Sequence, residues 1–163
     1  MIVEGSAARG AFVATVVFVA MEPVTYLVHR FVMHGPGIVL HRSHHARRGG
    51  RLEANDAFPV LFAAVTVAVM AVGAHVRGLG VLVGVGAGVT AYGVAYGFVH
   101  DVYIHGRLGR RRRVRILEGL GQAHALHHRY GGEPYGMLLP VVPAALRRRV
   151  AASGGADPRT PAA

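Results

Sequence analysis

The stretch LGVLVGVGAGVTAYGVAYGFVHDVYIHG, residues 79–106, decides how this chain reads. It opens as an apolar run and closes on His100, Asp101, His105 and Gly106. The 26 residues from 79 to 104 would extend about 39 Å as a helix. That exceeds the roughly 30 Å hydrocarbon core of a bilayer. Such a run crosses a membrane and still carries its last turn or two into the interface, delivering two imidazoles to one face. Two more apolar runs, residues 11–28 and 57–76, approach the roughly 20 residues a crossing helix needs. Arg77-Gly78 separates the second run from the third, which predicts an antiparallel helical hairpin.

Composition agrees. A length of 163 residues predicts one domain. Hydrophobic residues make up 52% and charged residues 16%, and the mean hydropathy is +0.37. These values exclude disordered and collagen-like classes and favour a membrane protein. Cysteine is absent, which excludes disulfide frameworks, thiolate metal ligation and cysteine nucleophiles. All 18 basic residues are arginine, and against eight acids they give a net charge of +10. A nucleic-acid partner would need that charge on a soluble, base-reading surface. Here it flanks the apolar runs instead, so no nucleic acid is expected.

Arg30, Arg42, Arg47, Arg48 and Arg51 lie between the first two runs. Arg107, Arg115, Arg129, the run Arg110, Arg111, Arg112, Arg113, and Arg147, Arg148, Arg149 follow the third. The positive-inside rule makes both segments cytoplasmic and puts the N-terminus outside. Three crossings satisfy this, whereas a fourth within residues 79–104 would set the two segments on opposite faces. Glu4 and a lone Arg9 make a poor secretory basic region, so the first run is expected to be retained. Residues 134–146 are apolar, but too short to cross and broken by prolines. They are expected at the interface or packed on the cytoplasmic part. The polar tail, residues 153–163, is expected to be disordered.

Of eleven histidines, ten repeat one signature. His29-x4-His34-Gly is followed by His41-x2-His44-His45, and His100-x4-His105-Gly by His124-x2-His127-His128. Positions i, i+3 and i+4 share a helix face, so each H-x-x-H-H is expected to present three imidazoles to one point. Positions i and i+5 diverge on an ideal α-helix. Each H-x4-H pair therefore suits ligands approaching from different sides, or a helix that stops at the following glycine. Neutral imidazole binds Zn, Cu, Fe and Ni. So many uncharged nitrogens exceed one ion's needs and suit two, with a position left for a small ligand. His75 stands apart at the end of a run and is expected to be structural.

These motifs carry a resemblance. His29-Arg-Phe-Val-Met-His34-Gly, His41-Arg-Ser-His44-His45, Glu53-Ala-Asn55-Asp56-Ala-Phe58, Val99-His100-Asp101 with His105, and Ala123-His124-Ala-Leu-His127-His128 resemble the bacterial β-carotene 3-hydroxylases. Those belong to the fatty-acid-hydroxylase superfamily of membrane di-iron oxygenases. The resemblance covers residues 22–139. It implies that His29, His34, His41, His44, His45, His100, His105, His124, His127 and His128 hold two ferrous ions. It further implies that O2 is the co-substrate and that hydroxyl is inserted at the β-ionone ring of a carotenoid drawn from the bilayer. The implied product series runs from β-carotene through β-cryptoxanthin to zeaxanthin. With no flavin or nicotinamide motif, electrons are expected from a ferredoxin-type partner docking on the arginine-rich face. Gly84-x-Gly86-x-Gly88 lies inside an apolar helix and is no dinucleotide fingerprint. The segment Gly35-Pro36-Gly37-Ile38-Val39-Leu40 departs from the family's usual aromatics, and the arginine run 110–113 from its more mixed sequence.

Metal-bound histidines usually give their other N–H to a carboxylate or carbonyl. Glu22, two turns before His29, is a candidate for that role, as are Asp101 beside His100 and the pair Asn55-Asp56. Asn55 or Asp56 could instead cap the second run. Tyr92 with Tyr96 and Phe58 with Phe62 are expected in the core, and Gly93-x3-Gly97 at a close helix contact. The sequence thus predicts an all-α integral membrane protein of about three transmembrane helices with a cytoplasmic histidine-rich helical cap. By the resemblance, residues 1–152 form a single membrane di-metal hydroxylase domain in the cytoplasmic membrane, its site on the cytoplasmic face. The alternatives are hydroxylation of another membrane lipid, a fatty acyl chain or a sterol, or a histidine-rich membrane metal-binding or transport protein. Transport is disfavoured because the histidines gather at helix ends rather than at the bilayer midplane.

Overall fold

The structure, a computed structural model, describes residues 2–46, 52–109 and 113–152. The tail at 153–163, the arginines at 110–112 and Arg47, Arg48 and Arg51 lie outside the described residues. Among the described residues the fold is helical with no strand: α1 Ile2–Leu27, α2 Ile38–His45, α3 Ala57–His75, α4 Val81–Gly97, α5 Arg115–Tyr130 and α6 Ala144–Ala152. Three helical segments are long and apolar enough to cross a membrane: Ala7–Met33, Ala54–His75 and Val81–Ile104. The first is longer than residues 11–28, because small residues before Ala11 and π-helical residues after Val28 prolong it.

Helix α4 packs against both α1 and α3. Between α3 and α4 the chain reverses at Gly78, whose φ of +83° favours a residue without a Cβ. The hairpin expected at Arg77-Gly78 is therefore present.

The closest approach of helices is not at Gly93-x3-Gly97. A Cβ at Gly93 would meet nothing within 4 Å, whereas one at Gly88 would lie 2.5 Å from the Ala14 carbonyl oxygen. Gly84 similarly faces the Gly10 carbonyl oxygen, at 3.0 Å, and Gly73 of α3 faces the Leu82 Cβ, at 2.9 Å. The small residues that matter lie mid-helix, where α1 and α3 cross α4. Tyr92 is buried and packs edge-on against Phe18, with ring centroids 5.8 Å apart. Phe58 is also buried, but Phe62 is exposed, so that expected core pair is divided.

Both histidine-bearing helix ends are π-helical, over Val28–Met33 and Phe98–Ile104. Backbone bonds close them from His34 N–H to the His29 carbonyl (3.0 Å) and from His105 N–H to the His100 carbonyl (2.9 Å). An i→i+5 bond stacks residues five apart on one side of the helix. The expectation that each H-x4-H pair must diverge holds for an α-helix and fails here. The rings of His29 and His34 lie 5.1 Å apart, and those of His100 and His105 4.7 Å.

Residues 131–143 form no helix and dock back onto α1, burying Met137. This is the packed alternative for the apolar segment 134–146. Glu22 accepts the backbone N–H groups of Met137 (2.9 Å), Leu138 (3.1 Å) and Leu139 (3.0 Å) and the Tyr92 hydroxyl (2.6 Å). Glu133 reciprocates, accepting the Tyr26 hydroxyl at 2.6 Å and pairing with Arg30 at 3.1 Å.

Candidate metal centre

The π-helical ends that follow α1 and α4, with helices α2 and α5, bring all ten repeated histidines together. His75 stays exposed at the far end of α3, bonded to the Ala71 carbonyl. Nine of the ten form two adjoining cages. In one, a nitrogen from each of His29, His34, His41, His45 and His127 lies within 4.8 Å of all the others. In the other, His44, His100, His105 and His124 converge likewise. His128 sits beside the second cage, its Nε2 3.2 Å from that of His44, and its ring stacks on His45 at 4.3 Å.

Each H-x-x-H-H is thus divided between the cages rather than aimed at one point. On α2, His41 and His45 serve the first cage and His44 the second; on α5, His127 serves the first and His124 the second. A helix lying between two sites gives alternate faces to each, so the motif joins the cages as well as filling them.

The proton positions follow from the partners. A carbonyl or carboxylate oxygen only accepts, so the ring nitrogen facing it carries the hydrogen. His29 Nδ1 donates to the Tyr135 carbonyl (2.9 Å), His41 Nδ1 to Asn55 Oδ1 (2.8 Å) and His127 Nδ1 to the Gly132 carbonyl (2.6 Å). In the second cage His44 Nδ1 donates to Glu53 Oε2 (3.0 Å) and His100 Nδ1 to Asp101 Oδ1 (3.1 Å).

Burial, reinforced by neighbouring imidazoles, lowers His45, His105 and His127 to about 3. His41 falls to about 4, chiefly through burial, and His44, His124 and His128 are pushed further down for the same reasons. Where the ring proton sits on Nδ1, as these five acceptors require, a neutral ring presents Nε2 as a bare lone pair. Yet His29 and His41 approach Nε2 to Nε2 at 3.1 Å, and His44 and His100 at 2.9 Å. Two facing lone pairs at that distance repel unless a cation lies against both. Nitrogens bound to one ion at about 2.1 Å and a right angle are separated by about 3 Å. The donor set therefore fits a pair of imidazole-binding metal ions, iron among them.

The candidates for supporting the histidines divide. Asn55 and Asp101 hold ring nitrogens. Asp56 instead accepts the Glu53 N–H at 2.9 Å, closing the turn Ala54–Asp56 that carries Asn55. Glu22 bonds no histidine; it anchors the segment whose Tyr135 and Gly132 carbonyls orient His29 and His127. Sequence reading missed Glu53 as a partner for His44, although it heads the Glu53–Phe58 motif. It also missed Arg107, which pairs with Glu53 (3.1 Å), Asp56 (2.7 Å) and Asp101 (3.3 Å). The Tyr135 and Gly132 carbonyls carry no side-chain signal at all.

Helices long and apolar enough to cross a membrane thus end in two adjoining imidazole clusters of the kind that could hold metal ions. The chain belongs to the fatty acid hydroxylase family, whose model matches residues 14–145, and is a hydroxylating oxygenase. It is 37% identical over 156 residues to a β-carotene hydroxylase of Pantoea ananas, covering 90% of this chain and 88% of that protein. To a β-carotene hydroxylase of Pseudescherichia vulneris it is 38% identical over 154 residues, covering 89% and 85%. It is 37% identical over 127 residues to the chloroplastic β-carotene 3-hydroxylase 1 of Arabidopsis thaliana, covering 74% of this chain and 41% of that longer protein. No solved structure matches.

Proposed function

We propose that this protein is a carotenoid hydroxylase. It places hydroxyl on the β-ionone ring, taking β-carotene through β-cryptoxanthin to zeaxanthin, with two ferrous ions, O2 and electrons from a ferredoxin-type donor. The observation that carries the reading is the pair of histidine cages at membrane-helix ends, in a chain related over nine-tenths of its length to a β-carotene hydroxylase.

When bound, the two irons supply reductive activation of O2: one oxygen atom enters a C–H bond, and the other leaves as water after uptake of two electrons and two protons. The protein's own groups do the rest. The ten histidines hold the ions, and Asn55, Glu53, Asp101 and the Tyr135 and Gly132 carbonyls fix the ring protons on Nδ1, keeping Nε2 free. Tyr96 lies one helical turn before His100, with rings 5.3 Å apart. The half-buried ring covers His100 from the membrane-spanning part of α4. Residues 1–152 act as one domain in the cytoplasmic membrane. The site lies on the cytoplasmic face, where the arginines steer an acidic electron donor. The family's own description favours a second reading, hydroxylation of a fatty acyl chain at the same centre.

Expression in bacteria that accumulate β-carotene tests this, with pigments followed by chromatography and mass spectrometry. Products heavier by one and then two oxygen atoms are expected, and are expected to vanish in His44→Ala and His127→Ala. Unchanged pigment, from iron-loaded membrane protein supplied with reduced ferredoxin, would transfer the assignment to another lipid.

A further inference from the structure

The oxygens that orient the second cage are shared. Glu53 Oε2 accepts His44 Nδ1–H and also lies 3.1 Å from an Arg107 guanidinium nitrogen. Asp101 Oδ1 accepts His100 Nδ1–H and lies 3.3 Å from Arg107 Nε. A third guanidinium nitrogen donates to Asp56 at 2.7 Å. Because the His44 and His100 Nε2 atoms are themselves 2.9 Å apart, the chain of contacts closes: His44, Glu53, Arg107, Asp101, His100 and back to His44.

Local structure aims the arginine. The second π turn ends at Gly106, whose φ of +64° reverses the chain, and the Arg107 N–H returns to the Asp101 carbonyl at 2.9 Å. The guanidinium is thereby folded back over the acids, its side chain 20% exposed. A planar fork can engage three carboxylates from three sides, which an ammonium cannot. The first cage meets this arginine only through Asp56, whose Oδ1 accepts from the guanidinium while its Oδ2 closes the turn bearing Asn55. Its ring protons go to neutral acceptors, the Tyr135 and Gly132 carbonyls and Asn55, and the turn bearing Asn55 is closed by Asp56 on Glu53.

We propose that Arg107 is the positioning residue of the four-histidine cage: it sets the spacing and direction of Glu53 and Asp101, and through them the two imidazoles whose Nε2 atoms meet. This rests on the di-metal reading above. Loss of the clamp weakens one metal position and spares the other.

The test uses the full chain in detergent, stripped of metal and titrated anaerobically with 57Fe2+, with bound iron counted and Mössbauer spectra recorded. Wild type is expected to bind two irons per chain as two ferrous doublets. Arg107→Met is expected to bind one and to keep one wild-type doublet. Arg107→Lys is expected to bind both, the weaker needing about 10–100 times more free iron, as when an outer partner of a ligand is lost. A fold-wide role would erase both doublets together. Wild-type titration by Arg107→Lys, or equal loss of both irons in Arg107→Met, overturns the proposal. Should the methionine variant not fold, the lysine variant alone decides. A wild-type chain that binds no pair of irons overturns the metal reading itself, a separate outcome.

Discussion

In the membrane layer of α1, α3 and α4, backbones approach at glycines, and many large apolar side chains, among them Val60, Leu61 and Val94, face outward. At the histidine end the pattern inverts: His29, His41, His124 and His127 are among the most buried residues, and several of their ring nitrogens are held by polar contacts. In lipid an outward valine costs nothing, and there is no hydrophobic drive between helices, so close van der Waals fit decides packing. At the cap the buried residues include many polar groups, and each of those must find a partner. One end of the molecule is specified by what is small and the other by what is paired. Glu22 joins them: it sits in a membrane helix and holds the segment that orients His29.

The largest break in that comparison is expected at Gly88. Leucine there would drive a Cβ to within 2.5 Å of the Ala14 carbonyl oxygen. A backbone atom cannot yield as a side chain can, and overpacking costs typically about 1–3 kcal/mol even where it can. Gly88→Leu should lose most folded protein from the membrane fraction, measured by protease resistance and yield. Glu22→Ala comes next. It strips partners from three backbone N–H groups and a tyrosine hydroxyl; those of the buried Met137 and Tyr92 each cost about 1–3 kcal/mol when left unpaired. The helices should persist by circular dichroism while iron held by the five-histidine cage is lost; coincident loss of helix would show that cap and layer are one cooperative unit.

Acid should separate the two ends without mutation. His41 is held near 4, and His45, His105 and His127 near 3, whereas an unfolded chain protonates histidine below about 6.5. The unfolded state then binds more protons, so stability is full above pH 6.5 and falls as pH drops toward 4. Metal-free protein should show a constant Tm above pH 6.5 and a declining one below it, by calorimetry in detergent. The smallest effect is expected at Gly93, where a Cβ meets nothing. Gly93→Ala should shift stability by no more than about 1 kcal/mol, in the favourable direction helix propensity gives. A large loss there would put the helix contact back where the Gly-x3-Gly pattern alone would set it.

The layer was largely legible in the sequence because its signal is local: run length and the Arg77-Gly78 break. The choice among its glycines was not, since Gly84, Gly88 and Gly93 look alike until α1 is laid against α4. The ten histidines were equally plain as a repeat, yet their partition was not. It depends on π-helical turns at His29–His34 and His100–His105, which α-helical geometry does not anticipate, and on α2 and α5 lying between two sites. Asp101 and Asn55 could be found because they neighbour histidines or sit at a helix start. Arg107 could not, because its partners lie 51 residues apart from it at Asp56 and six at Asp101, with nothing periodic to connect them. Glu22 was noticed as an acid in an apolar helix, but its purpose depends on a docked segment more than a hundred residues onward.

The central claim, two metal ions held by histidine alone at one end of the helices, is tested most directly by iron K-edge X-ray absorption with metal analysis on purified full-length protein. The account predicts two irons per chain, each with a light-atom shell dominated by nitrogen and strong outer scattering from imidazole rings. A single iron per chain, or a shell dominated by carboxylate oxygen, would contradict it.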